Sequence, residues 1–302
     1  MTLFSLSKAA APTVDRGAGS ARLPASIEVS PRQAIESADL PSLFPKGTRV
    51  SITDMGLDIR FTQVMAAKRL RDLGYVPIPH IAVRRVRDLR AMDDRIRAIS
   101  QEGGVRDVLV IAGGLEKPVG TFSGAMDVLE TGVFDKYGIR DIAVAGHPEG
   151  SPDFSESVAI EVLKLKQDFG ERTGARMRIV TQFGFDGRKF AEWAGGLSAH
   201  GIDLPVHIGV AGPAKLTTMV KYAAMCGVGS SVSFLKKRGG SIATLMGGFS
   251  PDEVVDPIEA YAHANPASRI AQIHVFPFGG IKAAAAWLFE RGTWADKREG
   301  GA

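Results

Sequence analysis

The chain has 302 residues, 45% of them hydrophobic and 23% charged, which is ordinary globular composition and enough for one large core. Its formal net charge of +4 comes from Lys and Arg interleaved with Asp and Glu; this suits an anionic small molecule and argues against nucleic acid. A single cysteine, Cys226, excludes an intramolecular disulfide and fits a reducing cytoplasmic compartment, and no apolar run reaches the roughly 18 residues of a membrane helix.

Cys226 sits in the apolar run Tyr222-Ala-Ala-Met-Cys and reads as a packing residue rather than a nucleophile. Residues 1–25 are rich in Ala, Ser, Pro and Gly and lack an apolar h-region, so they read as a flexible lead-in to a single domain over 26–302.

From there, short runs rich in Val and Ile alternate with amphipathic stretches. In chain order the predicted strands are Ser26-Ile-Glu-Val-Ser, Arg49-Val-Ser-Ile-Thr, Val76-Pro-Ile-Pro-His and Asp107-Val-Leu-Val-Ile-Ala. Asp141-Ile-Ala-Val-Ala-Gly, Met177-Arg-Ile-Val-Thr-Gln-Phe, Pro205-Val-His-Ile-Gly-Val and Gln272-Ile-His-Val-Phe-Pro follow. Near-continuous apolar strands of this length are what a sheet buried on both faces requires. Helical periodicity appears over Phe61–Leu73, Leu89–Ile99 and Val158–Phe169. The connection from about Lys215 to Ser268 is the longest and has room for two helices, the second opened by Ser250 as N-cap with Pro251 at the first helical position.

Eight β-then-α units without a composition break predict a single-domain α/β fold, a closed (β/α)8 TIM barrel. The rival, an open doubly wound sheet, would carry a Gly-rich fingerprint after its first strand, yet Ser30-Pro31-Arg32 stands there.

In such a barrel the chemistry sits at the C-terminal ends of the strands. Glu28, between Ile27 and Val29, is either a functional acid in the lumen or half of a structural ion pair. An apolar setting favours the protonated form of a carboxyl, which suits a general acid. His80 ends strand three and either meets a ligand or caps its loop. Gly113-Gly114 end strand four and permit close backbone approach to a flat or phosphorylated ligand, as any tight turn would. His147-Pro-Glu-Gly-Ser-Pro-Asp after strand five leads into a helix starting near Ser155 or Ser157, whose N-terminus would suit a phosphate. Gln182 can present donor and acceptor to a planar amide-like ring, with aromatics beside it to stack, or it simply faces solvent. His207 and His274 read as core or lumen residues, since no histidine has the partners of a metal site.

Taken together, these fragments resemble the methylenetetrahydrofolate reductase family from about Ser26 to Leu288. Ser26-Ile-Glu-Val-Ser-Pro is similar to the family's opening strand, and Ala145-Gly-His-Pro-Glu-Gly-Ser-Pro to its YPEGHP loop. Ile179-Val-Thr-Gln-Phe-Gly-Phe-Asp resembles its ITQFFFD strand, the most specific of the matches. The resemblance implies a one-carbon oxidoreductase that uses FAD to pass hydride between NAD(P)H and a reduced folate. It would interconvert 5,10-methylenetetrahydrofolate and 5-methyltetrahydrofolate. It implies Glu28 as the general acid and Gln182 and Phe183 on the folate. Thr53, His80, Gly113, Gly114, Ala145, His147 and Glu149 would lie on the FAD.

Three departures stand out. The family's Arg-Gly-Asp after strand four reads Ala112-Gly113-Gly114, with Glu116 the nearest acid that could replace the carboxylate. The usual Tyr of the strand-five loop is His147, and the usual His there is Ser151. The strand-eight loop reads Phe278-Gly279-Gly280, where the family often has Asn-Arg. The pterin end is thus better kept than the flavin end, which leaves two alternatives: direct hydride transfer from NAD(P)H without FAD, or a non-catalytic folate-binding partner protein. Assembly into a homo-oligomer stays open on the sequence alone.

Overall fold

The computed structural model describes residues 22–56, 59–151, 153–225 and 248–295; Cys226 and residues 1–21 of the lead-in lie outside them. Eight strands form the barrel: β1 (Ala25–Val29), β2 (Arg49–Ile52), β3 (Val76–Ala82), β4 (Asp107–Ile111), β5 (Asp141–Gly146), β6 (Arg176–Gly184), β7 (Val206–Ala211) and β8 (Ile270–Phe276). Each pairs in parallel with its sequence neighbours, and β8 closes on β1 through Ala25–Ile273, Ser26–His274 and Ile27–Val275. The expected (β/α)8 TIM barrel is therefore the observed fold, and all eight expected strands are present.

Helices return the chain between strands: α1 (Pro31–Glu36) and α2 (Leu40–Leu43) after β1, α3 (Ile59–Asp72) after β2, and α4 (Leu89–Gln101) after β3. Then come α5 (Ala125–Leu129) and α6 (Val133–Lys136) after β4, α7 (Glu156–Thr173) after β5, and α8 (Gly187–Gly196) after β6. The long connection after β7 holds α9 (Leu216–Met225) and α10 (Asp252–Ala264), and α11 (Ile281–Glu290) follows β8.

Local chemistry sets these boundaries. Ser30 caps α1 in a reciprocal box with Gln33. Ser155 caps α7 by accepting from the Val158 amide, one of the two starts expected there. The start of α10 differs from expectation: Pro251 is the N-cap and Asp252 the first helical residue. Ser250 lies one residue before the cap; its hydroxyl accepts from the Asp252 amide at 3.4 Å and donates to the Asp252 carboxylate at 3.1 Å.

Alternation along the strands sorts side chains into two cores. Ile27, Val29, Val50, Ile52, Ile179 and Val206 point outward and pack against the helices. The lumen is layered. At the N-terminal end lies a polar plug, where Arg178 donates to Asp107 at 2.7 Å and Arg49 to Gln272 at 3.3 Å. Above it Ile78, Leu109 and Ala143 form a small apolar layer. Ionisable groups reappear only at the C-terminal end, which is where the site begins.

The entry to β1 is anchored. Leu23 donates its amide to Glu259 at 2.9 Å, and Arg22 and Arg291 both bind that carboxylate. The 5%-exposed Glu259 side chain and the 3%-exposed Arg291 side chain thus tie α10 and the end of α11 to the residues that lead into Glu28.

Candidate active site

Ile27 and Val29 face the outer core, so Ser26 and Glu28 face the lumen. The Glu28 side chain is 16% exposed, and its Oε2 has an imidazole on either side: His80 Nε2 at 3.6 Å and His274 Nε2 at 3.8 Å. Both nitrogens are buried and have no hydrogen-bond partner among the described residues. His274 is aimed from behind, with its Nδ1 2.9 Å from the Ser26 hydroxyl, the residue it pairs with across the β8–β1 seam. Glu28 is therefore set among imidazoles rather than in a wholly apolar strand.

The His80 end is braced from outside the barrel. Arg95 of α4 donates to the His80 carbonyl at 2.8 Å, to Gln63 Oε1 at 2.8 Å and to Asp54 Oδ2 at 2.9 Å. Gln63 donates to the same His80 carbonyl at 2.9 Å, and Asp54 accepts from the Ala82 amide. One guanidinium thereby joins the ends of β2 and β3 to α3 and α4.

Burial holds the His80 ring below its usual pKa of 6.5, against the opposing pull of Glu28. His207, deeper in the lumen, is held well below 6.5 by burial and by the charges of Arg178 and Arg49. Both rings are neutral in the folded state at neutral pH. The unfolded chain takes up protons on them near pH 6.5 and the folded chain does not, so stability is complete above about 6.5 and falls as pH drops below it. Denaturant midpoints between pH 7.5 and 5 should show this decline, and His207→Gln should flatten it.

Gln182 lies at the C-terminal end of β6, three strands round the ring from Glu28. The β6–β7 register shifts between Val180 and Phe183, and Gln182 Oε1 accepts from the Phe183 amide at 3.0 Å. This bulge requires Gly209 opposite it: a Cβ there would stand 2.5 Å from the Thr181 carbonyl and 2.6 Å from that of Gln182. Phe183 is fully buried; Phe185, Phe276 and Phe278 pack around it, so it backs the rim and offers no free face to a ligand. Phe276 and Phe278, both partly exposed, and Tyr222, stacked on Phe278 at 4.3 Å, are the aromatics nearer solvent.

The other expected residues divide between three places. Thr53 Oγ1, at the end of β2, is buried with no hydrogen-bond partner among the described residues. Ala145, His147 and Glu149 line a separate cavity of about 490 Å³ between the ends of β4 and β5 and the face of α7. Arg84, Lys166 and Lys189 also line it. Gly113 takes a left-handed turn, with φ of 91°, and Gly114 and Glu116 are exposed after it. None of these three lines that cavity.

Sequence reasoning does not single out Ser26, Arg95, Lys166 or His274 as site residues. Lys166 is readable in part: Ile160, Leu163, Lys166 and Phe169 fall on one face of α7, so a lysine occupies a buried position. Burial lowers its pKa from 10.5 to about 8. His274 stands out only once β8 is seen to pair with β1.

A closed parallel barrel with ionisable groups gathered at its C-terminal rim places the chain among the (β/α)8 proteins whose sites are built from the strand ends and the loops after them. The model of the methylenetetrahydrofolate reductase family matches residues 33–237, and the chain belongs to that family. The match lies between Glu28 and His274, so neither falls inside it. Among solved structures, an uncharacterized protein from Clostridium thermocellum, described as binding two copies of 5-methyl-5,6,7,8-tetrahydrofolic acid, shares the fold. Its TM-score is 0.53 at 11% identity, over 89% of this chain and 96% of that one. Dihydropteroate synthase from Thermus thermophilus aligns over 90% of this chain and 95% of its own, at a TM-score of 0.46 and 12% identity. No helix among the described residues is long and apolar enough to cross a membrane.

Proposed function

We propose that this protein interconverts 5,10-methylenetetrahydrofolate and 5-methyltetrahydrofolate, with Glu28 as the group that exchanges a proton with the folate. The observation that carries the reading is the setting of Glu28: a carboxyl on the lumen rim, 16% exposed, with two buried imidazoles against one oxygen. Opening the methylene bridge requires a proton on a folate nitrogen, and a carboxyl at the rim, within reach of a ligand above it, can deliver one. Family membership supports the substrate class. So does the reduced folate bound by the similarly folded Clostridium thermocellum protein.

The hydride needs a carrier. Thr53 Oγ1 and His80 Nε2 have unused hydrogen-bonding capacity at the lumen rim, and the cavity beside β5 offers Arg84, Lys166 and Lys189 to phosphates. These residues would suit a nucleotide cofactor: Arg84, Lys166 and Lys189 would hold its phosphates, and Thr53 and His80 would take polar atoms of its ring. FAD there would supply a two-electron relay between NAD(P)H and the folate. Lys166 would hold a phosphate charge, His147 would close the cavity edge-on to Phe154, and the Ser155-capped start of α7 adds amide donors.

The turn after β4 favours a second reading. Ala112-Gly113-Gly114 brings neither a cation nor a carboxylate to the flavin side, so the same cavity would take NAD(P)H for direct hydride transfer. The absorption spectrum of freshly purified protein separates the two. Bound flavin that is bleached or restored by reduced folates supports the first, and NAD(P)H-dependent turnover by colourless protein supports the second. Protein that neither binds nor converts reduced folates overturns both.

Lys166 gives an independent check on the cavity. Its ammonium is charged below about pH 8 and neutral above it, so nucleotide affinity should weaken as pH rises from 7 to 9. Lys166→Met should abolish that dependence. It should also stabilise the free protein at pH 7 by roughly 1–3 kcal/mol, since a desolvated charge is removed. Calorimetric titration and thermal melts measure the two effects.

A further inference from the structure

We propose that the N-terminal mouth of the barrel, opposite the rim that carries Glu28, is a second binding site, one that takes a small anion with more than one oxyanion group, carboxylate or phosphate. The inference goes beyond the folate reading and does not depend on it.

A cavity of about 680 Å³ opens at the N-terminal ends of the strands, and four arginines line it against two aspartates. Both carboxylates are already taken. Arg176 grips Asp141 through both oxygens, and Asp107 accepts from the buried Arg178 at 2.7 Å. The other three lining arginines are not matched in this way. Arg49 stands 4.0 Å from Asp107, and Arg106 donates to the carbonyl and hydroxyl of Ser100. Among the described residues Arg71 pairs only with the adjacent, exposed Asp72. All three are exposed at the opening. An end of the barrel that served stability alone would pair its charges; this one keeps a surplus of cations around one concave opening, which concentrates anions there.

The floor of the cavity is short of acceptors. Gln272, 5% exposed, accepts from Arg49 through Oε1 at 3.3 Å, but its buried Nε2 has no partner among the described residues. The Nε of Arg178, in the same polar plug, is also buried and unpartnered among them. Buried donors without acceptors cost free energy, and an anionic oxygen is the group that relieves it. The edge is shaped for the same purpose. Gly104 has a left-handed φ of 69°, and a Cβ there would stand 2.1 Å from Arg71 Nη1, so glycine lets that guanidinium lie across the cavity edge. Arg49 opens β2, Arg106 precedes β4 and Arg71 sits at the end of α3, so forked donors reach the opening from three elements. Guanidinium forks match carboxylate and phosphate oxygens in pairs, and three of them around one space suit a ligand with several charged groups.

Calorimetric titration of the full chain with citrate, and separately with pyrophosphate, near neutral pH and at low salt tests this. The two probes carry the two oxyanion chemistries. At least one should bind, and the tighter of the two names the headgroup. Gln272→Glu sets a carboxylate on the floor beside Arg49, where it occupies the guanidinium and repels an incoming anion. Affinity should fall at least about 10-fold, with the melting temperature held. Arg71→Gln removes an exposed cation whose loss leaves the fold intact, and it should weaken binding by about 3–10-fold.

The cavity beside β5 also carries cations, so Lys166→Met is the control: affinity at the N-terminal mouth should be the same in it as in the wild type. Failure of both probes to bind the wild type overturns the proposal. Binding that is unchanged in Gln272→Glu and Arg71→Gln overturns it too, as does binding that disappears in Lys166→Met, which assigns the anion to the other cavity. If Gln272→Glu lowers the melting temperature, the Arg71→Gln titration decides alone. None of these readouts needs folate turnover, so a wild type inert towards folates would overturn the proposed function and leave this site to be judged by its own titrations.

Discussion

Glu28→Gln is expected to lower kcat for folate turnover by about 10²–10⁴-fold in both directions, with KM for the folate changed only a few-fold. The amide keeps the volume and shape of the carboxyl, so the barrel mouth stays closed around it. What it cannot do is give up and take back a proton, the one step assigned to this position. The structural cost should be small. The contacts of Glu28 with His80 and His274 are at 3.6 and 3.8 Å, longer than hydrogen bonds, so their loss should change stability by no more than about 1 kcal/mol. Steady-state kinetics and a denaturant melt on the same preparation separate the two effects. A variant that keeps wild-type kcat would remove Glu28 from the chemistry. A chain that binds reduced folate equally well with Glu or Gln and turns over with neither would be a folate-binding protein rather than an enzyme.

Arg95→Met should be the most destabilising substitution near the site, by about 3–5 kcal/mol. The guanidinium is 7% exposed and its partner Asp54 is 2% exposed, so the change strands a carboxylate in a buried position. It also leaves the carbonyl of His80 with one donor fewer and Gln63 Oε1 without its guanidinium. Burial lowers the Arg95 pKa despite the attraction of Asp54, which shows how much desolvation costs this charge. The cost therefore belongs to breaking the pair more than to the pair's absence. Arg95→Met combined with Asp54→Asn should recover a substantial part of the loss, and chemical denaturation of the single and double variants measures it. The site should respond as well, because Arg95 fixes the end of β3 that carries His80. Failure of the double variant to recover stability would mean that the bonds to His80 and Gln63, rather than the ion pair, hold this corner.

The order of the elements and the class of the fold were legible in the chain itself. Short Val- and Ile-rich runs such as Asp107-Val-Leu-Val-Ile recur between helical stretches because a sheet covered on both faces needs apolar strands and the covering helices need one apolar stripe. Ser155 and the Pro-Glu-Gly loop were legible too, since capping and turn chemistry act over three or four residues. The place of Glu28 followed from its being a carboxylate in an apolar run, and Gln182 from its position at a strand end. What surrounds them did not follow. His274 lies 246 positions after Glu28 and meets it only because the last strand closes on the first, a contact that local periodicity cannot encode. The exposure of Gly114 and Glu116, the complete burial of Phe183 and the displacement of Ala145, His147 and Glu149 into a cavity of their own were likewise decided by packing in three dimensions. Local sequence sets which residues are strand, helix and cap, because those preferences arise from neighbours along the chain. Which polar atoms end up facing one another is set by barrel closure, because register between distant strands is chosen by the whole core at once.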